Sequence, residues 1–448
     1  MFSKILIANR GEVAVRIIRA CKEMGVSTVA VFSEADRDAL HVSLAEESYC
    51  IGPAPVKDSY LNMQAILSAA ILSGATAVHP GSGLLSENAA FAKRCEEAGI
   101  AFIGPSSQAI QALGNKDFAR SAAKAAGIPI AKGSGIVDTI EQAQQEAGRI
   151  GYPLLIKARA GGGGRGIRLV ASAAELAHAF HTASSEAVSA FGDGGVYLEQ
   201  YLSPVKHIEM QMICDKFGAV VCLGERECSI QRKNQKLVEE TPCSAISAQT
   251  REQMRQAAVK AMKTVPYSGV GTVEFLYTPH DEKFYFLEVN TRLQVEHPIT
   301  EMVTGIDMVK WQIRVAAGNR LEFSEEDIRP RGHAIECRIN AEDTQNGFRP
   351  SCGKVTFMHI PGGPWVRFDT ALYQDYVVPP FYDSLVGKLI VHAPTRQEAL
   401  RKMLAALCEI VIEGIEHNRE LHIAILSEPD FIDGRYTTDF LEGRQLLL

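Results

Sequence analysis

Several features common in other protein classes are missing from this 448-residue sequence, and each absence narrows its role. Positive charge is not in excess: the net charge is −7, which argues against a nucleic-acid phosphate binder as the main role. No window approaches about 18 uninterrupted apolar residues, so no membrane span is expected. The opening MFSKILIANRGE has an apolar stretch of only four residues before charge returns, so no signal peptide is expected. None of the ten cysteines forms a C-x-x-C pair, so structural zinc and thioredoxin-like chemistry are not expected. Cys21 and Cys222 lie in apolar stretches and read as small core residues, and a reducing, cytoplasmic compartment fits best. Internal repeats and low-complexity linkers are lacking too. The length therefore implies two to four closely packed domains.

The pattern that is present begins with strand–helix alternation over the first hundred residues. Strands are expected at 4–9, 27–32, 75–79 and 101–103, with helices at 12–24, 61–73 and 86–98 closed by Gly25, Gly74 and Gly99. This implies a doubly wound parallel sheet with ligands at the carboxyl ends of its strands, where Asn9-Arg10-Gly11 and His79-Pro80-Gly81-Ser82-Gly83 fall. The first turn has one glycine rather than G-x-G-x-x-G, which rules out a nicotinamide site there. Two helices over 106–127 place Lys116 near the start of the second. From Pro129 onward, strands joined by glycine-rich turns take over, and 320–448 has its own strands and a helix at 396–410.

The run Gly161-Gly162-Gly163-Gly164-Arg165-Gly166 contains G-x-G-x-x-G, but a strand follows it instead of a helix, and no G-K-[ST] is present. Neither dinucleotide nor Walker A context is met. A mobile hairpin whose bare N–H groups close over phosphates fits, with Lys157 adding charge; a flexible surface turn is the alternative.

The segment GTVEFLYTPHDEKFYFLEVNTRLQVEHP is more informative. Antiparallel pairing about Asp281 sets Glu274 opposite Glu288, each seven residues away. Opposed carboxylates repel, and a divalent cation such as Mg²⁺ removes the conflict. The same strand then continues with strict period-two polarity, so Glu288, Asn290, Arg292, Gln294 and Glu296 share one face and Val289, Thr291, Leu293 and Val295 the other. A solvated outer face is the alternative. Asn, Arg and Gln beside a carboxylate pair suit a metal site grading into an anion pocket, with Arg292 as bidentate clamp. Weaker signals are the basic stretch 231–236, readable as a solvated strand, His207, readable as a core histidine, and Arg338, readable as the simple partner of a carboxylate. Ala261-Met262-Lys263 echoes a biotinylation tripeptide but falls in a helical stretch, 253–264, where that modification would lack its exposed hairpin.

IANRGEVAVRIIRACKEMG, HPGSGLLSENAAFA, IKARAGGGGRGIRLV, ERECSIQRKNQK, FLEVNTRLQVEHPITEMVTG and RGHAIECRINAED together resemble biotin carboxylase, the ATP-grasp subunit of biotin-dependent carboxylases. The resemblance covers essentially the whole chain. It implies a Rossmann-like N-terminal domain (1–114), an ATP-grasp domain (115–328) with a mobile lid at about 131–202, and a mixed C-terminal domain (329–448). It further implies that Lys116, Lys157 and the backbone of Gly163 and Gly164 contact ATP phosphates. Glu199 and Leu202 would meet the adenine, and His207, Gln231 and Asn234 would lie near the nucleotide. Glu274, Glu288 and Asn290 would hold Mg²⁺ or Mn²⁺. Lys236, Arg292, Gln294 and the Val295 backbone would bind bicarbonate; Glu296 would act as base and Arg338 would steady the biotin enolate. The implied activity is ATP- and bicarbonate-dependent carboxylation of biotin on a separate carrier protein, the first half-reaction of acetyl-CoA carboxylase. Implied partners are the biotin carboxyl carrier protein, carboxyltransferase subunits on other chains and a second copy of this chain, with no nucleic acid or membrane.

The sequence departs from the family where Ser82 replaces an aromatic beside the biotin pocket, where Asn234 replaces histidine, and where Arg159 and Ala160 replace small residues. Alternatives are the biotin carboxylase subunit of a pyruvate or propionyl-CoA type enzyme, another bicarbonate-using ATP-grasp ligase, or a degenerate ATP-binding scaffold. Arg338 and the NTRLQVEHP stretch speak against the other ligase, and the complete set Lys236, Glu274, Glu288, Arg292, Glu296 and Arg338 against the scaffold.

Overall fold

The computed structural model describes residues 1–158, 167–191, 194–444 and 446; the glycine run, with Gly163 and Gly164, lies outside the described residues, as do Arg159 and Ala160. Strands β1 (Lys4–Ile7), β2 (Ser27–Phe32), β3 (Glu47–Cys50), β4 (Ala77–His79) and β5 (Ala101–Phe102) form a parallel sheet in the order β3-β2-β1-β4-β5. Helix α1 (Gly11–Glu23) buries Val13, Ala14, Ile17, Ile18 and Cys21 at helical spacing, as its period required. The winding direction reverses between β1 and β4, which opens a crevice at their carboxyl ends. There the Asn9 amide donates to the carbonyls of Pro80 (2.7 Å) and Ser82 (2.9 Å), tying the two turns together. Gly81 has φ of +67°, and a Cβ there would lie 2.8 Å from the Asn9 side chain, so only glycine fits.

A small antiparallel sheet follows, with β6 (Leu154–Ala158) between β7 (Ile167–Val170) and β8 (Val196–Gln200). The helices Ile140–Ile150 and Ala173–Phe191 cover it around Ala143, Ile156, Leu176 and Leu198. Thr139 and Gln142 form a reciprocal cap at the start of the first.

The largest element is an eight-stranded antiparallel sheet. Its order is β13 (Lys283–Asn290), β12 (Gly269–Thr278), β9 (Lys206–Cys214), β10 (Val220–Arg232), β11 (Gln235–Thr241) and β14 (His333–Asn340), then strands Leu385–Ala393 and Val366–Thr370. The sheet runs without a break across the expected 328/329 boundary, because β11 pairs directly with β14. One apolar cluster joins Ile5, Ile7 and Ile17 to Ile213, Val270 and Leu293, so the parallel sheet is packed onto the large one. All ten cysteines are free, and seven are buried. Ala261 and Met262 are buried in the helix Ala248–Met262, which leaves no exposed hairpin around Lys263. No helix among the described residues is long and apolar enough to cross a membrane.

On one side of the large sheet, Glu240 fastens the last segment of the chain. Its carboxylate accepts from His333 Nε2 (2.6 Å), from Arg396 Nε (2.7 Å) and Nη2 (3.0 Å), and from the Tyr436 hydroxyl. Burial alone would raise the Glu240 carboxyl; His333 and Arg396 outweigh it and hold it well below its ordinary value. Its ionised form therefore stabilises the fold above pH about 4.5, and that contribution fades as pH falls toward the depressed folded value. Urea unfolding of wild type and Glu240→Gln should thus differ most near neutral pH and converge below pH about 4; a gap that stays constant with pH would contradict this assignment.

Candidate functional site

Carboxylates are stacked in register across the large sheet. Glu288 on β13 lies opposite Glu274 on β12, Glu274 opposite Glu209 on β9, and Glu209 opposite Arg226 on β10. Residues paired in this way project from the same face. The expected Glu274–Glu288 opposition is present, by a less direct route than a symmetric hairpin. Thr278 pairs with Lys283 and Phe275 with Phe286, a register that would carry Glu274 opposite Leu287. A bulge at Leu287 shifts the pairing by one and sets Glu288 there instead.

Lys236, at the start of β11, reaches into this row. Its ammonium donates to Glu209 (2.6 Å), Glu274 (3.1 Å) and Glu296 (2.6 Å). Burial disfavours the charge on Lys236, but the three carboxylates raise its ammonium well above the ordinary lysine range. Burial would likewise raise Glu274 and Glu296. Lys236 with His207 holds Glu274 well below its usual range, and Lys236 with Arg338 and Arg226 does so for Glu296. Glu274 also accepts from His207 Nε2 (3.0 Å) and the Asn290 amide (2.8 Å), while Gln231 meets His207 Nδ1 at 2.7 Å. His207 is therefore part of the polar cluster and not an isolated core histidine. Glu288 is half-buried, 3.8 Å from the Lys116 ammonium, and burial and then Glu274 raise its carboxyl. Asn115 caps the helix Lys116–Ala125 through Phe118 N (3.0 Å), which places Lys116 at the helix's first position.

The expectation that one strand runs from 288 to 296 is corrected. β13 ends at Asn290, and an irregular segment leads into the helix His297–Thr304, with Pro298 in its first turn. The ladder stops because Thr291 N donates to the Glu87 carboxylate (3.0 Å) of the N-terminal region rather than to a neighbouring strand. Burial accordingly does not alternate: Leu293, Gln294 and Glu296 are all buried. The even-numbered side chains still converge. Arg292 Nε donates to Glu87 (2.8 Å), and its Nη1 donates to Gln294 Oε1 (2.7 Å) and lies 3.4 Å from Ser82 Oγ. The Val295 carbonyl accepts from the fully buried Lys388 (2.8 Å), which also pairs with Glu12 (3.1 Å). Arg338 on β14 donates to Glu239 (2.6 Å) and to Glu296 (3.0 Å), so the C-terminal third of the chain closes the site.

Lys157 on β6 and Arg120 on the helix Lys116–Ala125 both contact the Glu199 carboxylate on β8. Leu202 is half-buried just beyond β8. Asn234 sits apart: it is exposed at the tip of the β10–β11 hairpin with φ of +64° and makes no side-chain hydrogen bond to the cluster among the described residues. The basic stretch 231–236 is thus a hairpin that divides its residues between the site and solvent.

Sequence reasoning missed Glu87, Glu209, Arg226, Glu239 and Lys388. Glu209 in HIEMQM and Glu239 in KLVEET are charges inside apolar strand runs, and Lys388 in LVGKLIV is another; that was the available signal. Glu87 had none, because its role depends on a contact 205 residues away in sequence.

Comparison with known proteins shows the family to which the chain belongs. Residues 1–110 match the family model for the biotin carboxylase N-terminal domain, 115–324 that for the carbamoyl-phosphate synthase L chain ATP-binding domain, and 336–443 that for the biotin carboxylase C-terminal domain. Biotin carboxylase 1 of Bacillus subtilis is 52% identical over 443 residues, covering 99% of this chain and 98% of the relative. The crystal structure of a biotin carboxylase–βγ-ATP complex from Campylobacter jejuni superposes with a TM-score of 0.96 at 47% identity, covering 99% of both chains. The biotin carboxylase domain dimer of Hydrogenobacter thermophilus 2-oxoglutarate carboxylase, in complex with MgADP, ADP and bicarbonate, has a TM-score of 0.94 at 49% identity, covering 99% and 97%. With a carboxylate-and-lysine cluster built from all three matched regions, this chain belongs to the biotin carboxylase family of ATP-dependent ligases.

Proposed function

We propose that this protein uses ATP and bicarbonate to carboxylate biotin held on a separate carrier protein, through a carboxyphosphate intermediate. The observation that carries the reading is the convergence of Lys236, Glu274, Glu296 and Arg338 beside the Arg292–Gln294 pair. Within it, the units 1–114, 115–328 and 329–448 would supply the crevice, the nucleotide site with its cover at about 131–202, and the biotin side.

Glu274, Glu288 and Asn290 offer hard oxygen donors on adjacent strands, and two opposed carboxylates call for a compensating cation, so the donor set fits Mg²⁺ or Mn²⁺. The metal, when bound with the nucleotide, would offset charge on the phosphoryl oxygens. Lys116, Lys157 and the backbone of Gly163 and Gly164 would hold the phosphates, with Glu199, Leu202, His207 and Gln231 around the nucleotide; Asn234, exposed at the hairpin tip, is left out of this set. Arg292 would offer its terminal N–H groups to a planar anion, while the Nε bond to Glu87 fixes the guanidinium plane. Bicarbonate seated on Lys236, Arg292, Gln294 and the Val295 backbone would lie beside Glu296, which its cationic neighbours keep ionised and able to accept a proton. Attack on the γ-phosphate would then yield carboxyphosphate and ADP, and its breakdown would give CO₂ and phosphate. The phosphate would take the N1 proton of biotin, and Arg338 would meet the negative ureido oxygen with two donors that a lysine could not match.

The proposal extends to the acetyl-CoA carboxylase type, feeding malonyl-CoA synthesis in the cytoplasm, with a homodimer as the working unit and carrier and transferase on other chains. The 2-oxoglutarate carboxylase match keeps a keto-acid transferase as the second reading. Copurified partners that turn carboxylated carrier and acetyl-CoA into malonyl-CoA would decide for the first.

The purified chain should hydrolyse ATP only when bicarbonate is present, and faster when free biotin is added; ATP binding without turnover would leave only a scaffold. Glu296→Gln should lower kcat by about 100-fold or more while leaving the KM for ATP nearly unchanged. Ser82→Tyr should lower the KM for free biotin by restoring an aromatic wall, and an unchanged KM would remove Ser82 from the biotin site.

A further inference from the structure

Behind Arg338 the sheet holds a second pair of opposed carboxylates that the mechanism above does not use. Glu239 on β11 lies directly opposite Glu336 on β14, and both are fully buried. Both Glu336 oxygens, and Oε2 of Glu239, have no hydrogen-bond partner among the described residues. The remaining oxygen of Glu239 accepts from Arg338, two residues from Glu336 on the same face of β14. Two ionised carboxylates so placed would each be desolvated and would repel each other.

The surrounding charges do not relieve the conflict. Arg226 is taken up by Glu209, and Lys236 by Glu209, Glu274 and Glu296. Lys388, across the ladder from Arg338, is paired with Glu12 and donates to the Val295 carbonyl. Arg367 is held by Asp369 and Glu301, and Arg16 by Glu301 and Asp307. On the helix packed over β14, burial keeps His297 far below its ordinary range and therefore uncharged. Among the described residues, Arg338 is then the one cation hydrogen-bonded to Glu239, it is shared with Glu296, and none is hydrogen-bonded to Glu336. Glu296 is held ionised by its cationic neighbours, so the neutral member belongs to the other two.

We propose that Glu239 and Glu336 together carry one proton at neutral pH, residing chiefly on Glu336, and that this proton makes Glu336 a positioning residue that sets the charge behind Arg338. A protonated Glu336 turns an unpartnered acceptor into a donor and gives Glu239 Oε2 the hydrogen bond it lacks. Burial pushes the Glu336 carboxyl well above its ordinary range, with Lys388 and Arg338 opposing and Glu239 and Glu296 adding to the rise. Burial also pushes Glu239 up to about 7 against the pull of Arg338. While the proton is present, Arg338 is shared between Glu239 and Glu296 and can turn an N–H toward an incoming anion. When it is lost at alkaline pH, an extra negative charge appears behind the guanidinium, draws it back to the sheet and repels an anionic substrate. The pair therefore shapes the alkaline limb of the reaction, a role that rests on the functional reading of Arg338 given above.

Two measurements on the full chain test this separately. Infrared spectra at neutral pH should show protonated carboxylic acid C=O stretches, one of which disappears in Glu336→Gln and is retained, shifted, in Glu336→Asp. Steady-state ATP turnover with bicarbonate and free biotin should then be followed against pH. Glu336→Gln, permanently uncharged, should keep kcat near neutrality within about three-fold and move the alkaline limb up by about one unit or more, whereas Glu336→Asp should keep the wild-type limb. Identical infrared bands in wild type and both variants, or superimposable limbs in wild type and Glu336→Gln, would overturn the proposal. If Glu336→Gln does not fold, loss of the wild-type limb in Glu336→Asp would overturn it and its retention with the shifted band would support it. Wild type lacking bicarbonate-dependent turnover would reject the functional reading instead, and the infrared result would still decide the proton.

Discussion

Buried negative charge, and the need to neutralise it, organises this molecule. Glu274, Glu209, Glu239 and Glu336 lie on one sheet, Glu296 sits against it just before the helix His297–Thr304, and all five are almost fully withdrawn from water. A carboxylate moved into such surroundings is costly unless it is paired, hydrogen-bonded or protonated. Pairing does most of this here: Lys236 meets Glu209, Glu274 and Glu296, Arg226 pairs with Glu209, and Arg338 bridges Glu239 and Glu296. A site of this composition is unfavourable as a simple core. It becomes useful when the visitors are anions and a divalent cation, because the residues that offset one another at rest are the same residues that can be redistributed over incoming charge.

The charged partners come from distant parts of the chain, and this is how the three matched regions become one site. The N-terminal region contributes Glu87, which orients Arg292, and Glu12, which holds Lys388 under the Val295 carbonyl. The central sheet contributes the carboxylate row and Lys236. The C-terminal strands contribute Arg338 and Lys388, directly opposite each other in the ladder. The apolar cluster that joins Ile7 to Val270 and Leu293 keeps the parallel sheet seated at the distance these ion pairs need. Positioning at this level depends on packing far from the chemistry, since a shift of about 1 Å in a charged contact is enough to slow a reaction greatly.

Much of the arrangement was legible in the amino-acid order. The parallel sheet followed from strand–helix spacing, and Glu274 opposite Glu288 followed from counting outward from Asp281, although a bulge at Leu287 was needed to make the count true. Period-two polarity named the converging residues at 292, 294 and 296 but misjudged their backbone. It could not register that Glu87, brought in by another part of the chain, captures the Thr291 N–H and ends the strand. The second carboxylate pair was illegible for a related reason. Glu239 and Glu336 are 97 residues apart, and only the β11–β14 pairing makes them neighbours. Asn234 shows the reverse limit: its place in a basic run linked it to the site, while the left-handed turn of the hairpin carries it out to solvent.

The unbroken eight-stranded sheet has one further implication, for how such a chain can be divided during evolution or engineering. Severing the polypeptide between the nucleotide-handling half and the half bearing Arg338 would expose β11 and β14 as two raw, hydrogen-bond-hungry borders. Neither fragment would inherit a closed hydrophobic interior, and each would present a sticky rim to its neighbours. Gene fission is therefore far more tolerable beyond either end of this unit than within it, and the catalytic plate is inherited whole.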